Sequence, residues 1–237
     1  MTHEILDGLA ENDPHARRAR RDLRRVNRFM GTRSILMRAM QPAAEGHDRT
    51  LRVLELGAGD GSLMLRIAQR MAPSWPAVEL TLLDRQSLLE TATRAAYAKL
   101  GWSLQTLALD VLDWCSAPTS SDPFPQWDVI VTNLFLHHFS AAQLPALLSG
   151  IRARCTLFAA CEPRRAIVAL IGSHLTGAIG ASALTRHDAV LSVHAGFRAH
   201  ELSAVWPDEH REWRLQERRA GLFCHLFRAR RLAAGPA

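Results

Sequence analysis

The chain has 237 residues, 48% of them hydrophobic, which suits one large α/β domain with an appendage. No apolar run reaches the ~18–20 residues of a membrane span. The N-terminus lacks a basic-then-apolar signal pattern, and Cys115, Cys155, Cys161 and Cys224 form no C-x-x-C pair, so the reading is a cytoplasmic protein with reduced, mostly buried thiols and no disulfide framework. The formal charge of +6 is almost wholly arginine, Lys99 being the only lysine.

Residues 1–13 read as a frayed start. From Pro14 to Met40 the pattern is helical, with Leu23, Val26 and Met30 at three- and four-residue spacing and arginines on the other faces. Gly31 divides this stretch into two helices, the second carrying Ile35, Leu36 and Met40. Residues 17–38 hold nine arginines, a stripe suited to RNA, an acidic carrier protein, an anionic membrane surface, or plain solvation of an amphipathic helix. Pro42 to Thr50 is a polar linker, so residues 1–46 are expected to form a helical lid on a main domain spanning 47–237.

Beyond the linker, strands and helices alternate. Strands are expected at 51–56, 78–83, 104–109, 128–132 and 155–161, with helices at 62–71, 86–100 and 141–152. Further helices are expected near 166–178 and 186–194. Two final strands, about 213–218 and 222–228, meet at a tight turn at Ala220-Gly221. This order implies an α/β, Rossmann-like doubly wound sheet of about seven strands, mostly parallel with an antiparallel C-terminal hairpin. Ligands of such sheets sit at the carboxyl ends of the strands. Those ends carry Gly57–Gly61, Asp84, Asp110, Asn133 and Glu162.

The first strand runs into Glu55-Leu56-Gly57-Ala58-Gly59-Asp60-Gly61. Glycines let a ligand approach the backbone closely, and the next helix offers free N–H groups. The G-x-G-x-G spacing differs from the G-x-G-x-x-G that seats a pyrophosphate. Acidic residues around the turn suit a cationic nucleoside better than a phosphate. Asp84 is placed to accept from ribose hydroxyls, and Asp110 from an adenine amine; the alternative role of each is to cap a turn or helix.

These segments resemble the motifs of class I S-adenosylmethionine (SAM)-dependent methyltransferases. Residues 53–61 look like the family's first motif, Leu82-Leu83-Asp84 like the second, and Ala108-Leu109-Asp110-Val111 like the third. The run from Asp128 to Phe139 is similar to the strand-four segment of small-molecule enzymes, including ubiquinone and menaquinone C-methyltransferases and polyketide and phenolic O-methyltransferases. The resemblance covers roughly residues 50–162. It implies a cofactor site of Glu55, Gly57, Ala58, Gly59, Gly61, Asp84, Arg85, Asp110, Val111, Asn133 and Leu134, and SAM as the cofactor without a metal.

Asn133-Leu134-Phe135-Leu136 stands where many nucleic-acid and protein N-methyltransferases carry Asn-Pro-Pro-aromatic, which argues against an exocyclic amine and against a nucleic-acid partner. Candidate bases are His137, His138, Glu162 and His187. Phe29, Arg33, His138 and Asp188 are candidate substrate contacts, and Arg28 or Arg33 could meet a carboxylate. His225 reads as solvent- or edge-facing. The expected reaction is methyl transfer to a phenolic or polyketide-like hydroxyl of a free or carrier-bound small molecule. C-methylation of a quinone precursor and an RNA-directed role for the arginine stripe stand as alternatives, and both monomer and homodimer stay open.

Overall fold

The computed structural model describes residues 13–45, 49–86, 88–117, 127–208 and 211–232. The expected frayed start therefore lies outside the described residues up to residue 12, and so do linker residues 46–48.

Seven strands form one sheet in the order β3-β2-β1-β4-β5-β7-β6. These are β1 (Leu51–Leu56), β2 (Val78–Asp84), β3 (Ser103–Ala108), β4 (Trp127–Asn133), β5 (Cys155–Pro163), β6 (Trp213–Ala220) and β7 (Cys224–Arg231). The first five are parallel; β7 runs antiparallel to β5, and β6 to β7. The sequence reverses its winding direction at β1 and β4, so the crevice for a ligand opens above Leu56 and Asn133.

Nine α-helices are described: α1 (Pro14–Met30), α2 (Thr32–Met40), α3 (Ser62–Met71), α4 (Thr91–Lys99), α5 (Val111–Ser116), α6 (Leu144–Arg154), α7 (Ile167–His174), α8 (Ala183–Ala195) and α9 (Glu201–Val205). Two apolar clusters fill the two faces of the sheet. One joins α2, α3, Tyr97 and Trp102 to Val53, Leu80, Val129 and Ala159. The other joins Trp114, α6 and Leu202 to Leu54, Ile130, Phe158 and Phe227. Neighbouring residues of one strand, such as Val53 and Leu54, thus serve opposite cores, as strand alternation requires.

Three expectations change. Ile35, Leu36, Ala39 and Met40 of α2 belong to the main core, so the boundary expected at residue 46 does not fall at a break in packing. The helix expected from Gln86 starts only at Thr91, because Asp84 accepts from the Gln86 N–H and holds a turn there. His225 is buried, not at an edge: β7 inserts between β5 and β6, and His225 Nε2 lies 2.7 Å from Glu217 Oε1. That Glu217 carboxylate also accepts from the Leu202 and Ser203 N–H groups at the start of α9. Short α5 and α9 were not legible, since each shows under two helical turns of pattern.

Tyr97 ties α4 to the glycine turn. Its hydroxyl is buried and donates to the Gly61 carbonyl at 2.7 Å. Burial, and then the charges of Glu55 and Asp60, push the phenol's pKa up. Tyr97→Phe should cost about 1 kcal/mol by chemical denaturation, since Gly61 O keeps its second partner, the Leu65 N–H. Gly61→Ala should cost about 2 kcal/mol or more, from positive φ and a methyl 2.8 Å from Leu82 Cδ1. Equal effects would mean that the turn tolerates a side chain.

Candidate active site

A cavity of about 740 Å³ opens at the switch point of the sheet. Its floor is the turn after β1. Gly57, Gly59 and Gly61 all have φ between 55° and 68°, the left-handed region that an L side chain adopts only at a cost. A Cβ on Gly57 would lie 2.3 Å from the Phe135 ring, whereas one on Gly59 would meet nothing within 4 Å and project into open space. Gly57, Ala58 and Gly59 line the cavity; Gly61 does not, and its part is to end the turn and open α3.

Asp84, at the tip of β2, fixes this turn. Its Oδ2 accepts from the Gly59 N–H at 2.8 Å and its Oδ1 from the Gln86 N–H at 3.0 Å. Each carboxylate oxygen has a second lone pair to offer the cavity. Asp110 also lines the cavity but caps α5, accepting from the Leu112 N–H at 2.8 Å. Arg85, Val111, Asn133 and Leu134 complete the expected lining.

Glu55 reaches the same cavity from inside β1 and is 3% exposed. Its Oε2 has no hydrogen-bond partner among the described residues. Burial, reinforced by the negative charges of Asp60 and Asp84, pushes its pKa well above the usual carboxylate range. Asp60 departs the other way. Burial opposes its ionisation, but hydrogen bonds from Ser62 and the ion pair with Arg24 hold it below its ordinary value.

Helix α1 closes the cavity from above. Arg24 pairs with Asp60 at 2.5 Å, Arg20 donates to Gln86 at 2.9 Å, and Asn133 donates to Asn27 at 3.1 Å. The cations that α1 brings to the site are therefore Arg20 and Arg24, beside Arg85 from the β2 end. Arg28 and Arg33, the two expected there, are exposed and line no described cavity. Arg28 sits on the outward face of α1, and Arg33 on the next helix, α2.

The segment after β4 forms the far wall. Leu134 has φ 52° and donates its N–H to Cys161. Glu162, at 0% exposure, accepts from the Phe135 and Leu136 N–H groups through Oε1, and its Oε2 lies 2.8 Å from His137 Nδ1. Glu162 lines no described cavity. It holds the wall and does not face the cleft, correcting the expectation that it sits there. His137 is buried and stacks on His138, ring centroids 4.3 Å apart; both line the cavity. His187 is exposed and lines none, so the geometry lends it no support as a base.

A second, smaller and mostly apolar cavity of about 80 Å³ adjoins the first, sharing Leu23, Leu134 and Ser192. Val26, Phe29, Met30 and Phe223 line it, and buried Asp188 and Thr185 supply polar groups. Phe29 and Asp188, two expected substrate contacts, thus meet here. Phe223 and Ser192 were missed: their places in a turn and mid-helix carried no signal. Asp60 was legible in the glycine turn, where it accepts from the Ser62 N–H.

No protein-family model and no curated protein matches the chain. Solved structures do. The plantazolicin methyltransferase BpumL in complex with SAH superposes with a TM-score of 0.65 at 12% identity, over 93% of this chain and 92% of that one. The magnesium protoporphyrin IX methyltransferase ChlM from Synechocystis PCC 6803, also with bound SAH, gives 0.54 at 12%, over 96% and 91%. An O-methyltransferase family protein from Burkholderia thailandensis gives 0.51 at 16%, over 86% and 59%. The chain has the fold of the class I methyltransferases.

Proposed function

We propose that the protein is a SAM-dependent methyltransferase acting on a small-molecule acceptor through a phenolic or polyketide-like hydroxyl. The observation that carries this reading is the unpartnered, buried Glu55 oxygen in a glycine-turn cavity that also holds Asp60 and Asp84. A phosphate would meet repulsion there. A ligand with an ammonium and a sulfonium would relieve the burial of Glu55 and find acceptors in Asp84 for its ribose. Gly59 leaves the space that such a nucleoside needs.

When bound, SAM supplies an electrophilic methyl whose bond pair returns to sulfur as the acceptor oxygen's lone pair forms the new bond. The chain's own task is alignment and removal of the acceptor proton. His138, partly exposed on the cavity wall, is our candidate base. His137 and Glu162 are positioning residues: with Nδ1 donating to Glu162, His137 is fixed and His138 stacks on it. The apolar cavity under α1 suits the aromatic body of the acceptor. In support, BpumL has been captured with mono-, tri- and pentazolic desmethylPZN analogs. C-methylation of a quinone precursor would use the same cavity and base.

Gly59→Val should leave the protein folded and abolish SAH binding by titration calorimetry; unchanged affinity would overturn the cofactor assignment. Asp84→Ala should weaken binding by ~1–3 kcal/mol, as an acceptor is lost and the turn loosens.

Glu55 yields a pH prediction. Folded Glu55 keeps its proton where the unfolded chain has released it. Unfolding then releases a proton, so stability falls as pH rises above the ordinary carboxylate range. In Glu55→Gln this component of the slope should vanish, ligand-free Tm at neutral pH should rise, and SAM affinity should drop. Parallel Tm–pH curves for variant and wild type would show that Glu55 ionises freely.

His138→Ala should lower kcat by about 10²-fold, the usual size of a lost general base. Glu162→Gln, which acts through His137, should shift the pH–rate profile while leaving SAH affinity near wild type. Full kcat in His138→Ala would mean that alignment alone suffices.

A further inference from the structure

Helix α7 is apolar on two sides but packed on only one. Its inner residues Ala169, Gly172 and Ser173 line the acceptor cavity, and Phe223 lies against Gly172. Its outer stripe, Ile167 and Ile171, continues at the same four-residue spacing into Leu175 just past its end; the three are 77%, 55% and 62% exposed, with Val168 beside them. Phe29, whose ring lies 5.5 Å from Phe223, and Leu222 in the β6–β7 turn extend this exposed surface. A helix apolar all round is ordinarily buried, and an exposed apolar patch of this kind marks an interaction surface.

The charges beside it are of one sign. The chain continues from Leu175 to Gly180, whose carbonyl accepts from Arg25. Arg18, Arg21 and Arg25, all exposed, border a surface cleft with Ala178 and Gly180. Arg186 lies 3.2 Å from the Cβ position of Gly177. Asp22, the one acid of α1, is buried and pairs with Arg25, so it does not offset the outer arginines.

We propose that this face docks on an anionic lipid surface, α7 lying in the interface with Ile167, Ile171 and Leu175 among the acyl chains and the α1 arginines on the headgroups. The pairing of a protruding aliphatic helix with an arginine cluster at its end meets both requirements of an interfacial helix, apolar area and cationic charge. Nucleic acid would use the arginines but leave the aliphatic stripe in water. The surface lies at the outer wall of the acceptor cavity, so docking would deliver a lipophilic acceptor directly from the bilayer. The docking itself does not depend on the reaction.

The test is flotation of the full chain with vesicles of phosphatidylcholine or of equimolar phosphatidylcholine and phosphatidylglycerol, at low and high salt. Wild type should bind the anionic vesicles, more weakly as salt rises, and bind the neutral ones poorly. The triple variant Ile167→Glu/Ile171→Glu/Leu175→Glu and the double variant Arg18→Glu/Arg21→Glu should each lose about tenfold or more in binding. Unchanged Tm and SAH affinity would verify that both variants are folded. Failure of wild type to bind anionic vesicles, or binding indifferent to the α7 variant, would overturn the proposal. So would a wild-type dimer by light scattering that the α7 variant converts to monomer without any vesicle binding. RNA binding that spares the α7 variant, with vesicles ignored, would assign the arginines to nucleic acid instead.

Discussion

The buried carboxylate of Glu162 holds together the part of the molecule on which the rest depends. It stands at the end of β5 and turns its oxygens onto the segment that follows β4, taking two backbone N–H groups and the ring of His137. A carboxylate without water contact is tolerated only when it is hydrogen-bonded, and three donors, two on Oε1 and one on Oε2, meet this one. In return the β4 segment is fixed tightly enough to keep Leu134 at φ 52°, a conformation costing roughly 1 kcal/mol or more. Leu134 lines both the polar and the apolar cavity, so the wall they share rests on this one group. Phe135, from the same segment, covers Gly57 and leaves no room there for a side chain.

The charges of the site follow one logic. Acids gather at the strand ends, and burial together with Asp60 and Asp84 pushes the pKa of one of them, Glu55, well above the usual carboxylate range. Arginines of α1 come in from the opposite side and meet Asp60 and Gln86. Helix α1 is therefore tied by polar contacts at its inner edge, while its outer arginines face away from the cavity. Polar latches of partly exposed groups are individually weak, about 1 kcal/mol or less each. The helix is held as well by its buried Ala19 and Val26 and by Asp22, which accepts from Ser182 and Thr185. Fold likeness at such low identity fixes the frame alone; any chemistry resides in these residues.

The sequence by itself determined the alternation of strands and helices, the antiparallel end of the sheet, the glycine turn and the acids at the strand tips. Those features are local. A buried parallel strand must be an apolar run, a backbone turn at positive φ must be glycine, and both leave a mark within a few residues. For the same reason Glu55, Asp84 and the His137-His138 pair could be singled out in advance. Only the tertiary structure decided what each does. Whether Glu162 faces the cleft or the β4 segment depends on a partner 25 residues away, and whether Arg24 or Arg28 lines the cavity depends on the rotation of α1. His225 is buried because β7 enters between β5 and β6, and α2 is core because the sheet extends beneath it. Such outcomes are set by contacts between distant segments, to which local periodicity is blind.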